Sequence, residues 1–231
     1  MTATLLLRLA GPMQSWGTQS RFGDRDTGRE PSKSGVIGLL CAALGRPRDA
    51  ALDDLISLTM GVRVDREGTP HFDYQTAGGT HRQGDRYGVA KASGDKPEPV
   101  VSTRHYLADA DFLVGLQSED TDLLDRLDAA LADPMWTLYL GRKGYVPSLP
   151  IRLPDSPPLG PGVRPVALID ALREYPWPEP RHNRESVQPR LRLVLETVSG
   201  EDSQIRQDVP LSFAPERRRF GARYVCTKWI P

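Results

Sequence analysis

The sequence predicts an α+β fold of the ferredoxin-like or RRM-like kind, in the order β-α-β-β-α-β. Three observations carry this reading. Residues 2–9 are apolar at nearly every position, as in a central strand. Residues 33–44 and 123–131 repeat apolar side chains at helical spacing. Short alternating or apolar stretches at 60–65, 72–76, 111–116 and 136–140 supply the remaining strands.

The first helix has clear punctuation. Ser32 is a good N-cap, Val36, Ile37, Leu40 and Leu44 form the apolar stripe, and Gly45 supplies the stop. Its first turn offers backbone N–H groups, the Ser32 and Ser34 hydroxyls and the Lys33 ammonium, a combination suited to a phosphate. Gly35 and Gly38 would let another backbone or a sugar-phosphate approach closely. The order of residues excludes a Walker A loop, because the Lys-Ser pair precedes the glycines. A short helix follows at 52–58, then the strand at 60–65, a turn at Glu67-Gly68-Thr69, and the strand containing Phe72, Tyr74 and Thr76. The strand at 111–116 leads to the helix marked by Leu123, Leu124, Leu127 and Leu131, which Asp133-Pro134 stops. Residues 136–140 are expected to close the series as a strand.

Between Tyr74 and Tyr106 the chain is too long for a hairpin turn. This insertion carries His81, Arg82, Arg86, Tyr87, Lys91, Lys96 and Arg104 among glycines, and reads either as a mobile loop or as a protruding basic hairpin for a polyanion. Beyond Gly141 the composition changes: eleven of the 21 prolines fall between Pro147 and Pro189, with one helix candidate at 166–174 and a strand candidate at 191–198. Residues 217–224 interleave arginines with Phe220 and Tyr224, a pattern of solvated edge strands that also suits RNA.

Charge is balanced, with 30 basic and 30 acidic residues, so any nucleic-acid role must use local patches. Cys41 and Cys226 give neither a metal spacing nor a disulfide framework, and no apolar run is long enough for a bilayer, which points to a soluble protein of a reducing cytoplasm. The four histidines show no ligand spacing, and Ser15 and Ser34 lack a nucleophile context. One catalytic set can be drawn, His105 with Tyr106, Tyr87, His81 or Lys91, as in a metal-independent ribonuclease. Trp16, beside Gly17, is either a plug over the core or a stacking surface. Gly141-Arg142-Lys143-Gly144 places two cations between glycines, where a phosphate could be met.

The stretch Gly-Pro-Met-Gln-Ser-Trp-Gly at 11–17 and Pro-Ser-Lys-Ser-Gly-Val-Ile-Gly at 31–38 resemble the CasD family, the CRISPR-RNA-handle subunit of type I-E Cascade. The resemblance continues through residues 61–66, 73–79, 104–110, 139–143 and 219–223. It implies an RRM-like domain over 1–145, with a β-hairpin thumb at about 78–104, followed by a Pro-rich connection and a small C-terminal β-rich portion over 146–231. It also implies a non-catalytic, cytoplasmic subunit with no cofactor and no metal. Such a subunit holds the 5′ handle of the CRISPR RNA, caps a filament of CasC subunits, touches the large subunit CasA, and meets target DNA only through the complex. The residues read as binding that RNA are Gln14, Ser15, Trp16, Arg21, Ser32, Lys33, Ser34, Gly35, Arg82, Arg86, Tyr87, Arg104, His105, Arg142 and Lys143, the resemblance supplying which polyanion they meet. Type I-C relatives cut precursor RNA, which keeps an endoribonuclease as the alternative.

Overall fold

A computed structural model of the chain describes residues 2–17, 23–78, 99–154, 162–178 and 190–230. Strand β1 (Ala3–Ala10) is buried along almost its whole length because helices cover both of its faces. Leu5, Leu7 and Leu9 join one core, and Leu6 joins a second core on the opposite face. Two short strands follow, β2 (Met13–Gln14) and β3 (Asp24–Arg25). Helix α1 (Lys33–Leu44) begins at Ser32, whose hydroxyl accepts the Gly35 N–H, and ends at Gly45 with φ 67°. That left-handed value suits glycine, and the Gly45 and Arg46 N–H groups close on the Ala42 and Cys41 carbonyls. A single turn, α2 (Asp53–Ile56), leads into β4 (Thr59–Arg66).

The chain then leaves the main sheet. Strands β5 (Thr69–Ala77) and β6 (Val100–Ala108) pair antiparallel over their full lengths, from Thr69 opposite Ala108 to Ala77 opposite Val100. Strand β7 (Asp111–Ser118) returns to pair with β4. Thus β4–β5 and β6–β7 form one bent ribbon whose outer half is an arm. The bend falls at Gly68 (φ 71°) and Asp109 (φ 56°), both in the left-handed region. The arm starts at residue 69, earlier than the insertion boundary near 78 that the sequence suggested, and most of that insertion lies outside the described residues.

Helix α3 (Thr121–Ala132) is capped by Asp120, whose Oδ1 accepts the Leu123 N–H at 2.9 Å, and it buries Leu123, Leu124, Leu127 and Leu131. Each fully buried leucine contributes about 1.5–3 kcal/mol of transfer free energy. The strand expected at 136–140 does not form. The Met135 and Trp136 N–H groups instead bond the Ala43 and Ala42 carbonyls at the end of α1, and Leu140 N–H bonds Tyr145 O, so no edge remains for a ladder. The position beside β1 is taken by β8 (Val163–Arg164). Helix α4 (Leu168–Glu174) lies where the sequence placed it, and its Leu168 and Leu172 pack over Gly61 and Gly115. Added β-carbons at those glycines would stand 2.9 Å and 2.6 Å from these leucines, so the glycines admit the helix to the sheet.

Strands β9 (Leu191–Thr197), β10 (Gln204–Ser212) and β11 (Arg219–Ile230) complete the main sheet, in the order β10-β11-β9-β4-β7-β1-β8. Because β9 pairs with β4, the C-terminal portion continues the first sheet across the boundary expected at 145. The second sheet is centred on β6, with β5 on one edge and β2 and β3 on the other.

Candidate nucleic-acid interface

The first turn of α1 is already occupied. The Lys33 N–H donates to Asp208 Oδ2 at 2.8 Å, and the Lys33 ammonium donates to both oxygens of Glu196 at 3.0 Å. Lys33 is only 2% exposed. Burial pulls its pKa below the ordinary lysine value, with Glu196 opposing. Arg223 holds Asp208 through its Nε and a terminal nitrogen, and Glu196 also accepts the Met60 N–H. The Lys33 donors expected to be free are therefore spent on carboxylates of β9 and β10, and the Gly35 N–H on the Ser32 hydroxyl. Ser32 caps Gly35 and sits 3.4 Å from the half-buried Ser34 hydroxyl. Gly35 gives its space to Trp16, whose Cε3 lies 2.8 Å from where a β-carbon would be.

Residues 14–16 form the strut between this turn and the second sheet. Gln14 Nε2 donates to Leu9 O and Ala110 O, while its Oε1 accepts the Trp16 indole N–H at 3.2 Å. The Ser15 hydroxyl donates to His105 O at 3.1 Å. Trp16 is 1% exposed, which decides between the two sequence readings: its ring plugs the core. All three side chains shape the backbone around them and present little surface of their own.

Gly141 (φ 88°) brings the next loop against this strut; a β-carbon there would fall 1.7 Å from Ser15 O. The loop places Arg142 across the gap, donating to Arg25 O and the Tyr145 hydroxyl, each at 3.0 Å, with its guanidinium 5.5 Å from the Tyr145 ring centre. Lys143 beside it is exposed. Tyr145 meets Tyr106 at 6.0 Å, and Tyr106 stacks on His71 at 5.8 Å. A row of cations and rings thus runs from the 142–145 loop onto the arm. Arg104, bonded to Ser102 Oγ, points to the same face as Tyr106 by strand alternation, with Arg25 beside it in register.

The opposite face of the arm carries Phe72 and Tyr74, 65% and 69% exposed, together with His105. The His105 imidazole contacts Asp24 Oδ1 at 3.2 Å, and its ring lies 6.0 Å from Phe72. So Arg104 and Arg142 flank the Tyr106–Tyr145 contact with Lys143 exposed next to Arg142 in sequence, His105 faces away from Arg104, and Lys33 lies elsewhere in the core. Arg21, Arg82, Arg86 and Tyr87 fall outside the described residues, as do His81 and Lys91 of the candidate catalytic set. Sequence reasoning missed Arg25, His71 and Tyr145. Strand alternation around His71 was the available signal, but nothing local tied Tyr145 to the arm. Among the described residues no group of His, Cys, Asp or Glu could hold a metal ion, and no helix is long and apolar enough to cross a membrane.

Fold and site together define a mixed α/β protein of large antiparallel sheets and few helices, with an aromatic arm standing off the main sheet. The family model of the CRISPR-associated protein Cas5 matches residues 4–226, and the chain belongs to that family. It is 38% identical over 156 residues to the CRISPR system Cascade subunit CasD of Escherichia coli strain K12, an alignment covering 62% of this chain and 66% of that one, just under two thirds. Among solved structures it is similar to a chain of a CRISPR RNA-guided surveillance complex, with a TM-score of 0.79 and 36% identity over 98% of this chain and 89% of that one. A second, described as a Cas protein, gives a TM-score of 0.74 and 42% identity over 99% and 95%.

Proposed function

We propose that this chain is a non-catalytic RNA-binding subunit of a cytoplasmic CRISPR surveillance complex, holding the 5′ handle of the guide RNA. The single observation that carries the reading is the row Arg142–Tyr145–Tyr106–His71, with exposed Lys143 at one end, laid along the base of a projecting arm in a Cas5 family member. Cations meet phosphates there, while the buried Tyr145 and half-buried Tyr106 rings hold the loop to the arm and leave exposed His71 as the ring open to an unpaired base. In this reading the β5–β6 arm is the thumb, and the strands β8-β1-β7-β4 with α1 and α3 are the ferredoxin-like unit; their order and antiparallel pairing support it. The partners are a CasC-type backbone subunit, which the chain caps, and a CasA-type large subunit, with target DNA met through the assembly. The relatives' descriptions as parts of Cascade and of a surveillance complex support those partners.

The endoribonuclease alternative has one observation in its favour, the Asp24–His105 pair, which resembles a carboxylate-oriented base. Crosslink mapping in the assembled particle tests the main reading: handle nucleotides should join peptides containing Tyr106 or residues 142–145, and a handle joined only to other subunits overturns it. Metal-free cleavage of repeat RNA by the purified chain, abolished by His105→Ala, would establish the alternative instead.

A further inference from the structure

The arginine-rich tract at 217–224 has no part in the arm, and its placement suggests a second surface. Five arginines of the main sheet are paired with carboxylates: Arg8 with Asp111, Arg63 with Asp65, Arg192 with Glu30 and Glu67, Arg206 with Glu30, and Arg223 with Asp208. Arg217, Arg218 and Arg219 are exposed and form no ion pair among the described residues. Arg218 instead lies 5.3 Å over the Phe220 ring. The irregularities of the β10–β11 ladder skip residues on β10 while β11 stays regular, so Phe220, Ala222 and Tyr224 project from one face. On that face α4 covers β4 and β7, whereas α1 and α2 reach β10 from the other side. Ile205, opposite Tyr224, is 60% exposed, and Phe220 is 37% exposed.

We propose that β11 and the turn before it bind unpaired polynucleotide, with Arg217, Arg218 and Arg219 on phosphates and Phe220 and Tyr224 under bases. Charge selects a polyanion, because three exposed guanidiniums without a carboxylate partner among the described residues follow one another where the turn enters β11, with Arg218 over the Phe220 ring and Arg219 on the other side of the strand. The rings select an unpaired strand over a duplex. They lie four residues, or about 13 Å, apart along the strand, whereas duplex bases stack at about 3.4 Å with their faces hidden. RNA and DNA share the required phosphates and base faces, so the chemistry is common to both.

The proposal goes beyond handle binding, and its test separates the two. Fluorescence anisotropy is read for the full-length chain with labelled oligouridylate, oligothymidylate and a DNA duplex, between about 50 and 200 mM salt. Arg217→Gln, Arg218→Gln and Arg219→Gln combined should weaken single-strand binding and reduce the salt slope by about 2, from roughly 0.7 per phosphate contact. Phe220→Ala with Tyr224→Ala should weaken it about tenfold with the slope unchanged. Both effects should persist in a Lys143→Glu background, where arm binding is impaired, while handle crosslinks to the arm in the Lys143 wild type stay intact. Matched urea midpoints establish folding, with Phe220→Leu as the milder ring variant. Equal binding of the two polymers supports contacts to phosphate and base; an RNA preference supports them with added 2′-hydroxyl contacts. Unchanged single-strand affinity in either variant set, equal losses for the duplex, or a loss confined to an acidic protein partner overturns the proposal.

Discussion

Both carboxylate oxygens of Glu196 lie 3.0 Å from the Lys33 ammonium, joining the first residue of α1 to a strand 163 positions away. The contact closes a buried set in which Arg223 meets Glu196 at 3.6 Å and Asp208 at 2.7 Å, and Asp208 takes the Lys33 N–H. A helix start that resembles a phosphate cradle in sequence is here the anchor of the C-terminal strands.

Lys33→Met, which keeps the volume and deletes the charge, should cost about 3 kcal/mol, the low end for breaking a buried pair because Glu196 keeps Arg223. Urea unfolding measures this. RNA affinity should keep its salt slope. Unchanged stability with a slope lower by about 0.7 would return Lys33 to phosphate binding.

Asp208 sets an acid limit. Burial pushes its carboxyl up, but the hydrogen bonds and charge of Arg223, with the Lys33 amide, outweigh burial and hold it below the ordinary carboxylate range. A folded-state pKa below the unfolded value of about 3.9 gives stability that is full above that pH and is lost as pH falls through the folded value. Asp208→Asn should lower stability at neutral pH and flatten its fall below about pH 4. Asp65 has the opposite sign: burial raises its pKa, Arg63 offsets only part, and protonation on acidification favours the folded state.

Burial pushes the Cys41 thiol up to about 11. At neutral pH it stays protonated inside α1, so iodoacetamide should label half-buried Cys226 first and Cys41 only on unfolding. Mass spectrometry of native and urea-treated samples reads the order.

Gly141→Ala combines a left-handed φ with a β-carbon 1.7 Å from Ser15 O. It should cost more than about 2 kcal/mol and displace Arg142 from Arg25 O, weakening handle binding as well. Gly144→Ala, where a β-carbon meets nothing within 4 Å, is the control and should leave both measurements near wild type.

Phe72→Ala and Tyr74→Ala alter exposed rings on the arm, so stability should stay within about 0.5 kcal/mol of wild type. Because these rings lie on the face opposite the proposed row, guide binding should also stay near wild type, and a loss of about tenfold per ring would move the bases to this face. Anisotropy alongside thermal melts separates the two effects.

The sequence by itself determined α1, α3 and α4, strands β1, β4, β7 and β9, and the resemblance that led to the Cas5 family. Each of those elements is written locally, in a cap, a stop or a repeat of apolar residues within about a dozen positions. Only the tertiary structure decided that residues 136–140 cap α1 in place of forming a strand, that Trp16 fills the space above Gly35, and that Lys33 faces Glu196. Those outcomes depend on which distant carbonyl, ring or carboxylate the folded backbone delivers to a site, and no local spacing encodes a partner that lies beyond the element itself.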